Sequence, residues 1–127
     1  MTGRQALLLG AVYGATAVMA GAFGAHALRG RLTAEDLGVF ETAARYQMYH
    51  AVALITLAKW LEQGMRPALE WAARLFGIGV LIFSGSLYIL VFSGQRWLGM
   101  VTPLGGVGLI AGWVALGVAA IRAPRRS

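Results

Sequence analysis

The chain has 127 residues, of which 58% are hydrophobic and 13% are charged, and it contains no cysteine. Soluble domains carry about 25% charged residues, so this composition excludes an ordinary soluble domain and indicates an integral membrane protein. Without cysteine the chain has no disulfide framework and no thiolate nucleophile or metal ligand. The net charge of +6 does not predict nucleic-acid binding, because the basic residues flank apolar segments and do not alternate with aromatic residues.

The first apolar segment, at about residues 5–28, is long enough to cross a hydrocarbon core of roughly 30 Å. Its length and its many glycines favour a retained membrane helix over a cleaved signal peptide. Small residues recur along one face of this helix, where a membrane helix packs closely against a neighbour. They are Gly10, Gly14, Ala17, Gly21 and Gly24. The spacing predicts packing, and it leaves open whether the neighbour belongs to the same chain.

A second helix is predicted to begin near residue 34. Thr33 precedes Glu35 and Asp36, which is the pattern of a helix N-cap followed by an acidic first turn. Apolar residues then recur at helical spacing, and this predicts an amphipathic helix at the membrane interface over about 34–45. The second span follows at about 46–61, and the lack of glycine or proline at the junction allows one continuous helix.

A turn is predicted at residues 63–67, which include a glycine and a proline. The third span is expected at about 72–92 and the fourth at about 103–121, with Pro103 in its first turn. The fourth span has a small-residue face of its own, formed by Gly105, Gly108 and Gly112. The predicted fold is therefore a single all-α membrane domain over 1–127, a bundle of four transmembrane helices with an interfacial helix between spans one and two.

Lysine and arginine near the span ends predict the orientation of the bundle. Four lie on one side of the membrane, and seven lie on the side that holds both termini and the second connection. The larger set favours cytoplasmic termini. Its members are Arg4, Lys59, Arg66, Arg74, Arg122, Arg125 and Arg126.

Residues 21–51 hold both histidines and three of the five acidic residues, so any chemistry of the chain is expected there. The candidate ligand-binding residues form a polar belt: His26, Glu41, Arg45, Tyr46, Gln47, Tyr49 and His50. The spacing of Glu41 and Arg45 favours an ion pair that supports the helix. The alternative is an intramembrane carboxylate compensated by arginine, used for proton transfer or anion contact.

The two histidines flank the first connection and are close enough in sequence to meet where spans one and two come together. A metal ion would need further ligands. The only suitable carboxylate, Glu41, lies about 13 Å from His50 along an unbroken helix. No metal site is therefore predicted, and each imidazole is expected to hydrogen-bond to backbone or to a neighbouring side chain.

No catalytic residue or cofactor is predicted. The serines of the third span, including Ser84 and Ser86, are expected to bond to their own helix or to a neighbour. The pattern of a nucleophile elbow is missing, and the glycines near residue 105 are not followed by the lysine of a phosphate-binding loop. The chain is therefore not expected to be an enzyme.

Four motifs identify a resemblance: GAFGAHALRGRL at 21–32, FETAARYQMYHA at 40–51, SGSLY at 84–88 and TPLGGVGLIAGW at 102–113. They resemble the small four-span membrane proteins grouped as domain of unknown function 423, whose members include bacterial inner-membrane proteins and a eukaryotic transmembrane relative. The resemblance covers nearly the whole chain and implies a four-helix membrane fold without implying a function. Because the sequence begins directly before the first span, a bacterial inner membrane is expected.

Two functions remain open at this level. The first is a non-enzymatic protein that acts by helix packing through the glycine faces of spans one and four, as a homo-oligomer or as an accessory subunit of a membrane complex. The second is a small transporter, channel or lipophilic-ligand binder that uses the polar belt as a pocket. The expected partners are membrane lipids and either a second copy or another membrane protein.

Overall fold

The structure is a computed structural model that describes residues 1–64 and 67–124. Over these residues the chain is helical and has no β-strand. The helices are α1 (Gly3–Val18), a π-helical segment (Met19–Gly24), α2 (Ala25–Leu28), α3 (Ala34–Glu62), α4 (Pro67–Ser93), a 3₁₀-helix (Arg96–Met100) and α5 (Thr102–Arg122). Two residues of the predicted turn, Met65 and Arg66, and the tail arginines Arg125 and Arg126 lie outside the described residues.

Helix starts follow the local chemistry of the sequence. The Thr33 side chain accepts a hydrogen bond from the Asp36 amide at 3.1 Å, which confirms the predicted N-cap and the helix start at Ala34. Pro103 lies in the first turn of α5, also as predicted. The tight turn between α2 and α3 depends on Gly30, whose φ of +86° is a conformation that other residues rarely adopt.

The junction near residue 45 is continuous, which the lack of glycine and proline there had left open. The predicted interfacial helix at 34–45 and the predicted span at 46–61 form one helix, α3, of 29 residues. After Gly38 no residue interrupts the backbone hydrogen bonds of the helix, so the change from amphipathic to apolar sequence alters its surroundings without breaking it.

The four long helices run antiparallel in a row, in which α1 packs on α3, α3 on α4, and α4 on α5. At one end of the row the Met1 ammonium lies 2.9 Å from a Glu70 carboxylate oxygen. At the other end Arg96 pairs with Asp36 at 3.3 Å. The order of helix contacts places α1 and α5 at the two edges, and both described termini lie at the same end of the helices.

Glycine allows the close approach of α1 to α3. A Cβ atom on Gly10 would lie 2.7 Å from an Ile55 side-chain carbon, and one on Gly24 would lie 3.0 Å from the Phe40 ring. The remaining small residues of this face take the same side: Gly14 faces Ala51, Gly21 faces Ala44, and Ala17 is buried. This small-residue face of α1 therefore packs within the chain.

The glycines of α5 pack against α4 in the same way. A Cβ atom on Gly112 would lie 2.7 Å from the Phe76 ring, and one on Gly105 would collide with the backbone of Phe83. Gly108 lies against Gly79, with 3.8 Å between the Cβ position and the Cα atom. The apolar core between α3, α4 and α5 includes Leu54, Leu57, Leu69, Phe76 and Leu109.

Three helical stretches of the described chain are long and apolar enough to cross a membrane: Gly3–Leu28, Pro67–Ser93 and Arg96–Arg122. Helix α3 has sufficient length, but it carries more polar residues than the other three. Its inward-facing polar side chains organise the site described next.

Candidate functional site

Gln47 joins three helices through its side-chain amide. The side chain is 6% exposed. Its Nε2 atom donates to the Tyr13 carbonyl at 2.9 Å and to the Thr16 hydroxyl at 2.6 Å, both on α1. Its Oε1 atom accepts from the Tyr88 hydroxyl of α4 at 2.8 Å. The cost of burying this amide is therefore offset by partners on both neighbouring helices.

Two further hydrogen bonds join the helices around Gln47. The Tyr13 hydroxyl of α1 donates to the Gly77 carbonyl of α4 at 2.7 Å. The Ser84 hydroxyl of α4 donates to the Ala43 carbonyl of α3 at 2.7 Å. The expectation that the serines of α4 bond to their own or a neighbouring helix is confirmed, since Ser86 donates to the Phe83 carbonyl at 2.9 Å.

His50, a residue of α3, forms a hydrogen bond with α5. Its Nδ1 atom lies 2.7 Å from the Tyr46 carbonyl, and its Nε2 atom accepts from the Trp113 indole N–H at 3.1 Å. Since Nε2 is an acceptor, the ring carries its proton on Nδ1 and donates it to the carbonyl. Both nitrogens are therefore bonded, and the ring packs 5.3 Å from Phe76. His50 is 3% exposed, which makes it part of the core.

Three other members of the predicted belt lie on the opposite, outward face of α3. Glu41, Arg45 and Tyr49 line a shallow groove of about 460 Å³ between α3 and the α1–π-helical stretch. Tyr46 is partly exposed between these two faces, with its ring 5.0 Å from Phe83 and 5.7 Å from Tyr49. The part of the predicted belt that lies on α3 is therefore divided between two faces of this helix.

The ion pair expected between Glu41 and Arg45 is not formed. Among the described residues the ion pairs closer than 4.0 Å join Met1 to Glu70, Arg74 to Glu70, and Arg96 to Asp36. Glu41 and Arg45 are both exposed toward the groove. Their i, i+4 spacing places them on one face of α3, but no ion pair within 4.0 Å joins them.

The two histidines do not come together. His26 is exposed in α2, whereas His50 lies at the level of Gly14 of α1, next to Ala51. Twelve residues of helix separate Gly14 from His26, or about 18 Å along the axis. Across residues 1–64 and 67–124 there is no group of three or more His, Asp or Glu side chains arranged to hold a metal ion.

Sequence reasoning missed the partners of the inward-facing residues. Tyr13, Thr16 and Trp113 were not singled out, although each contributes a hydrogen bond to Gln47 or His50. A signal was present for α1, because Tyr13 and Thr16 are polar residues three positions apart in an otherwise apolar helix. That spacing places them on one face, where polar partners on a neighbouring helix are expected.

Residues 20–106 match the family model described as "Protein of unknown function (DUF423)". The UPF0382 membrane protein SAB0533 of Staphylococcus aureus is 42% identical over 116 residues, which cover 91% of this chain and 94% of that relative. The UPF0382 inner membrane protein YgdD of Escherichia coli K12 is 38% identical over 126 residues, which cover 99% of this chain and 96% of that relative. None of the solved structures matches.

The GAFGAHALRGRL, FETAARYQMYHA and SGSLY motifs, which carry the resemblance noted in the sequence, lie inside the matched residues, and TPLGGVGLIAGW begins inside them. The matched segment also contains Gln47, His50 and the outward groove residues Glu41, Arg45 and Tyr49. Because the match exceeds half of the chain and the relatives align over nearly their whole length, this protein belongs to the DUF423 family.

Proposed function

We propose that this protein is a multi-pass protein of the bacterial inner membrane whose four long helices all cross the bilayer. The name of the Escherichia coli relative supports the location. The case for α3 as a fourth span is its place between two apolar antiparallel helices. Its 29 residues extend about 43 Å, and α1 follows it from Gly3, beside Ala58, to Gly24, beside Phe40.

The polar residues of α3 are compatible with a span. Polar groups are expensive in hydrocarbon unless they are bonded within the protein. Gln47 and His50 meet this condition through α1, α4 and α5. In this arrangement the first turns of α3, within 34–45, reach the membrane interface, and the excess of lysine and arginine in the sequence supports cytoplasmic termini.

The protein acts in this proposal through helix packing and without catalysis, as a homo-oligomer or as an accessory subunit of a membrane complex. The row arrangement is the observation that carries this function. The apolar stretches Gly3–Leu28 and Arg96–Arg122, which contain α1 and α5, are buried over 17% and 22% of their most apolar part, compared with 44% for Pro67–Ser93. A closed bundle would cover these helices further, so the row leaves two edges for partner helices.

The contact surfaces differ from those expected from the glycine pattern. The small-residue faces of α1 and α5 pack on α3 and α4, so a partner would meet the opposite faces. On α5 that face carries Val107, Ile110 and Val114, which are all exposed. On α1 it carries Leu8, which is also exposed. Substituting the internal glycines would disturb the fold before it disturbed an assembly.

Disulfide cross-linking in native membranes tests this function, because the chain contains no cysteine. Single cysteines at Val107, Ile110 and Val114 are expected to give dimers of the chain or defined adducts with another membrane protein, identified by mass spectrometry. A cysteine at buried Leu109 is the matched control and is expected to give neither. A cysteine at Leu8 probes α1 in the same way, and monomers without adducts at Leu8 and at all three α5 positions would contradict the packing function.

The second candidate function, a lipophilic-ligand binder, is favoured by a separate observation. Glu41, Arg45 and Tyr49 share one groove on the outward face of α3, where ionisable side chains are costly beside hydrocarbon and often serve a function. His26 and His50 do not join this groove, so the binding site of this candidate is smaller than the predicted belt.

A further inference from the structure

We infer that the outward groove beside the π-helical segment binds a phospholipid whose head group carries both a phosphate and a primary ammonium. The inference deepens the second candidate function and rests on the proposed placement of α1 and α3 across the bilayer. It does not depend on the oligomeric state. Four features support it: the shape of the groove, its two charges, their depth and the local distortion of α1.

The groove has the shape and lining of a site for an acyl chain. Its volume is about 460 Å³, and small side chains form much of its surface, with Met48 and Tyr49 along α3. The small residues are Ala17, Gly21, Ala22 and Ala44. A methylene chain can lie closely against such a surface, and the flexible Met48 side chain can adjust to it.

Two opposite charges lie in this groove without pairing to each other. Glu41 and Arg45 both contribute to its lining, and neither is in any ion pair closer than 4.0 Å among the described residues. By contrast, Asp36 and Glu70 on the same chain have cationic partners. Charged groups next to hydrocarbon require compensation, and one occupant that carries both charges can provide it for both residues.

The order of the charges matches the head group. Asp36 pairs with Arg96 at the end of the row. Arg45 lies nine residues after Asp36 along α3, about 13 Å deeper along the helix axis than that ion pair. Glu41 lies one turn closer to the ion pair than Arg45, about 6 Å from Arg45. A phosphate next to the acyl region would reach the Arg45 guanidinium, which binds phosphate through paired hydrogen bonds. The terminal ammonium, two carbons further out, would reach the Glu41 carboxylate.

The π-helical segment independently supports a binding site in this groove. Helix α1 changes from α to π geometry over Met19–Gly24, and Gly21 and Ala22 of this segment line the groove. Such widened turns are uncommon and frequently mark functional sites. If this segment were α-helical, its small residues would be rotated about the helix axis relative to their observed positions.

Lipid retention by the full-length protein in mild detergent, measured by native mass spectrometry, tests the site. Three probes share palmitoyl and oleoyl chains: phosphatidylethanolamine, phosphatidylcholine, which has no ammonium N–H, and phosphatidylglycerol, which has no ammonium. The first is expected to be retained at one molecule per chain, at least tenfold better than the other two. Equal retention of all three would overturn the inference.

Substitutions test whether each of the two charged residues contributes to lipid binding. Arg45→Gln and Glu41→Gln are each expected to reduce phosphatidylethanolamine retention at least tenfold, whereas the matched controls Arg31→Gln and Glu35→Gln, exposed outside the groove, retain it. Loss of retention in the controls as well, or unchanged retention in both groove variants, would overturn the site.

Ala22→Phe keeps both charges and fills the groove, so it is expected to abolish retention. Circular dichroism verifies that each variant is folded, and retention by a folded Ala22→Phe variant would contradict the site. If the protein retains no lipid but cysteines on α5 still form cross-links, the lipid site is rejected and the packing function stands. Lipid retention by a protein that never cross-links would leave only the lipid site.

Discussion

The two faces of α3 hold their polar residues in opposite states. On the inward face, Gln47 bonds to groups on α1 and α4, and His50 bonds to the Tyr46 carbonyl of its own helix and to Trp113 of α5. On the outward face, Glu41 and Arg45 line a shallow groove and pair with no described charge. A polar residue in an apolar helix can thus hold the fold together or remain open to a ligand, and the partners it meets decide which.

The largest expected effect is the loss of Gln47. Gln47→Leu removes three interhelical hydrogen bonds and leaves the Tyr88 hydroxyl without its acceptor. At about 1 kcal/mol for each bond, the free energy of unfolding should fall by about 3 kcal/mol. Denaturant unfolding in mild detergent, followed by circular dichroism, measures this change.

Gln63→Leu is the matched control for this substitution, because Gln63 lies exposed at the end of the same helix. Its effect on the free energy of unfolding should stay within about 0.5 kcal/mol. Equal destabilisation by the two variants would mean that the hydrogen bonds of Gln47 do not stabilise the inward face.

Substitution of the two histidines is expected to give the next largest difference in the free energy of unfolding. His50→Ala removes a buried ring and leaves the Trp113 indole N–H without its acceptor, so we expect a loss of about 2 kcal/mol in the free energy of unfolding. His26→Ala, at an exposed position, should change it by less than about 0.5 kcal/mol. Thermal scans of both variants in the same detergent test this difference, and similar melting curves for the two would contradict the core role of His50.

A pair of tyrosines gives the smallest expected difference. Tyr88→Phe removes a single hydroxyl, the donor to Gln47, and should lower the free energy of unfolding by about 1 kcal/mol. Tyr49→Phe makes the same chemical change on the outward face, where the side chain is 54% exposed, and should have little effect. A larger loss for Tyr49→Phe than for Tyr88→Phe, measured by the same unfolding assay, would reverse the assignment of the two faces.

Much of the fold could be predicted from local sequence. Hydrophobic runs identified the apolar helices, and Thr33 and Pro103 marked helix starts because capping and proline geometry act within a few residues. The glycine pattern predicted that one face of the first helix packs against a neighbour. It could not identify the neighbour, since every helix of the chain offered a similar apolar surface.

The candidate site was predicted less completely. The polar belt of residues 41–50 was recognised, but its division into two faces was not, and His26 was grouped with a histidine from which it is remote. The missing information is the rotation of α3 relative to α1, α4 and α5. That rotation depends on contacts such as Gly10 with Ile55 and Tyr46 with Phe83, which join residues far apart in sequence.

The sequence by itself determined that this chain is helical and apolar, where α3 and α5 begin, and which of its segments carry polar groups, because these properties follow from composition and from interactions over a few residues. Only the tertiary structure decided that Gln47 and His50 are bonded within the core while Glu41 and Arg45 line an open groove. Residues three or four positions apart share a helical face, but the neighbour that covers that face is set by packing between distant segments.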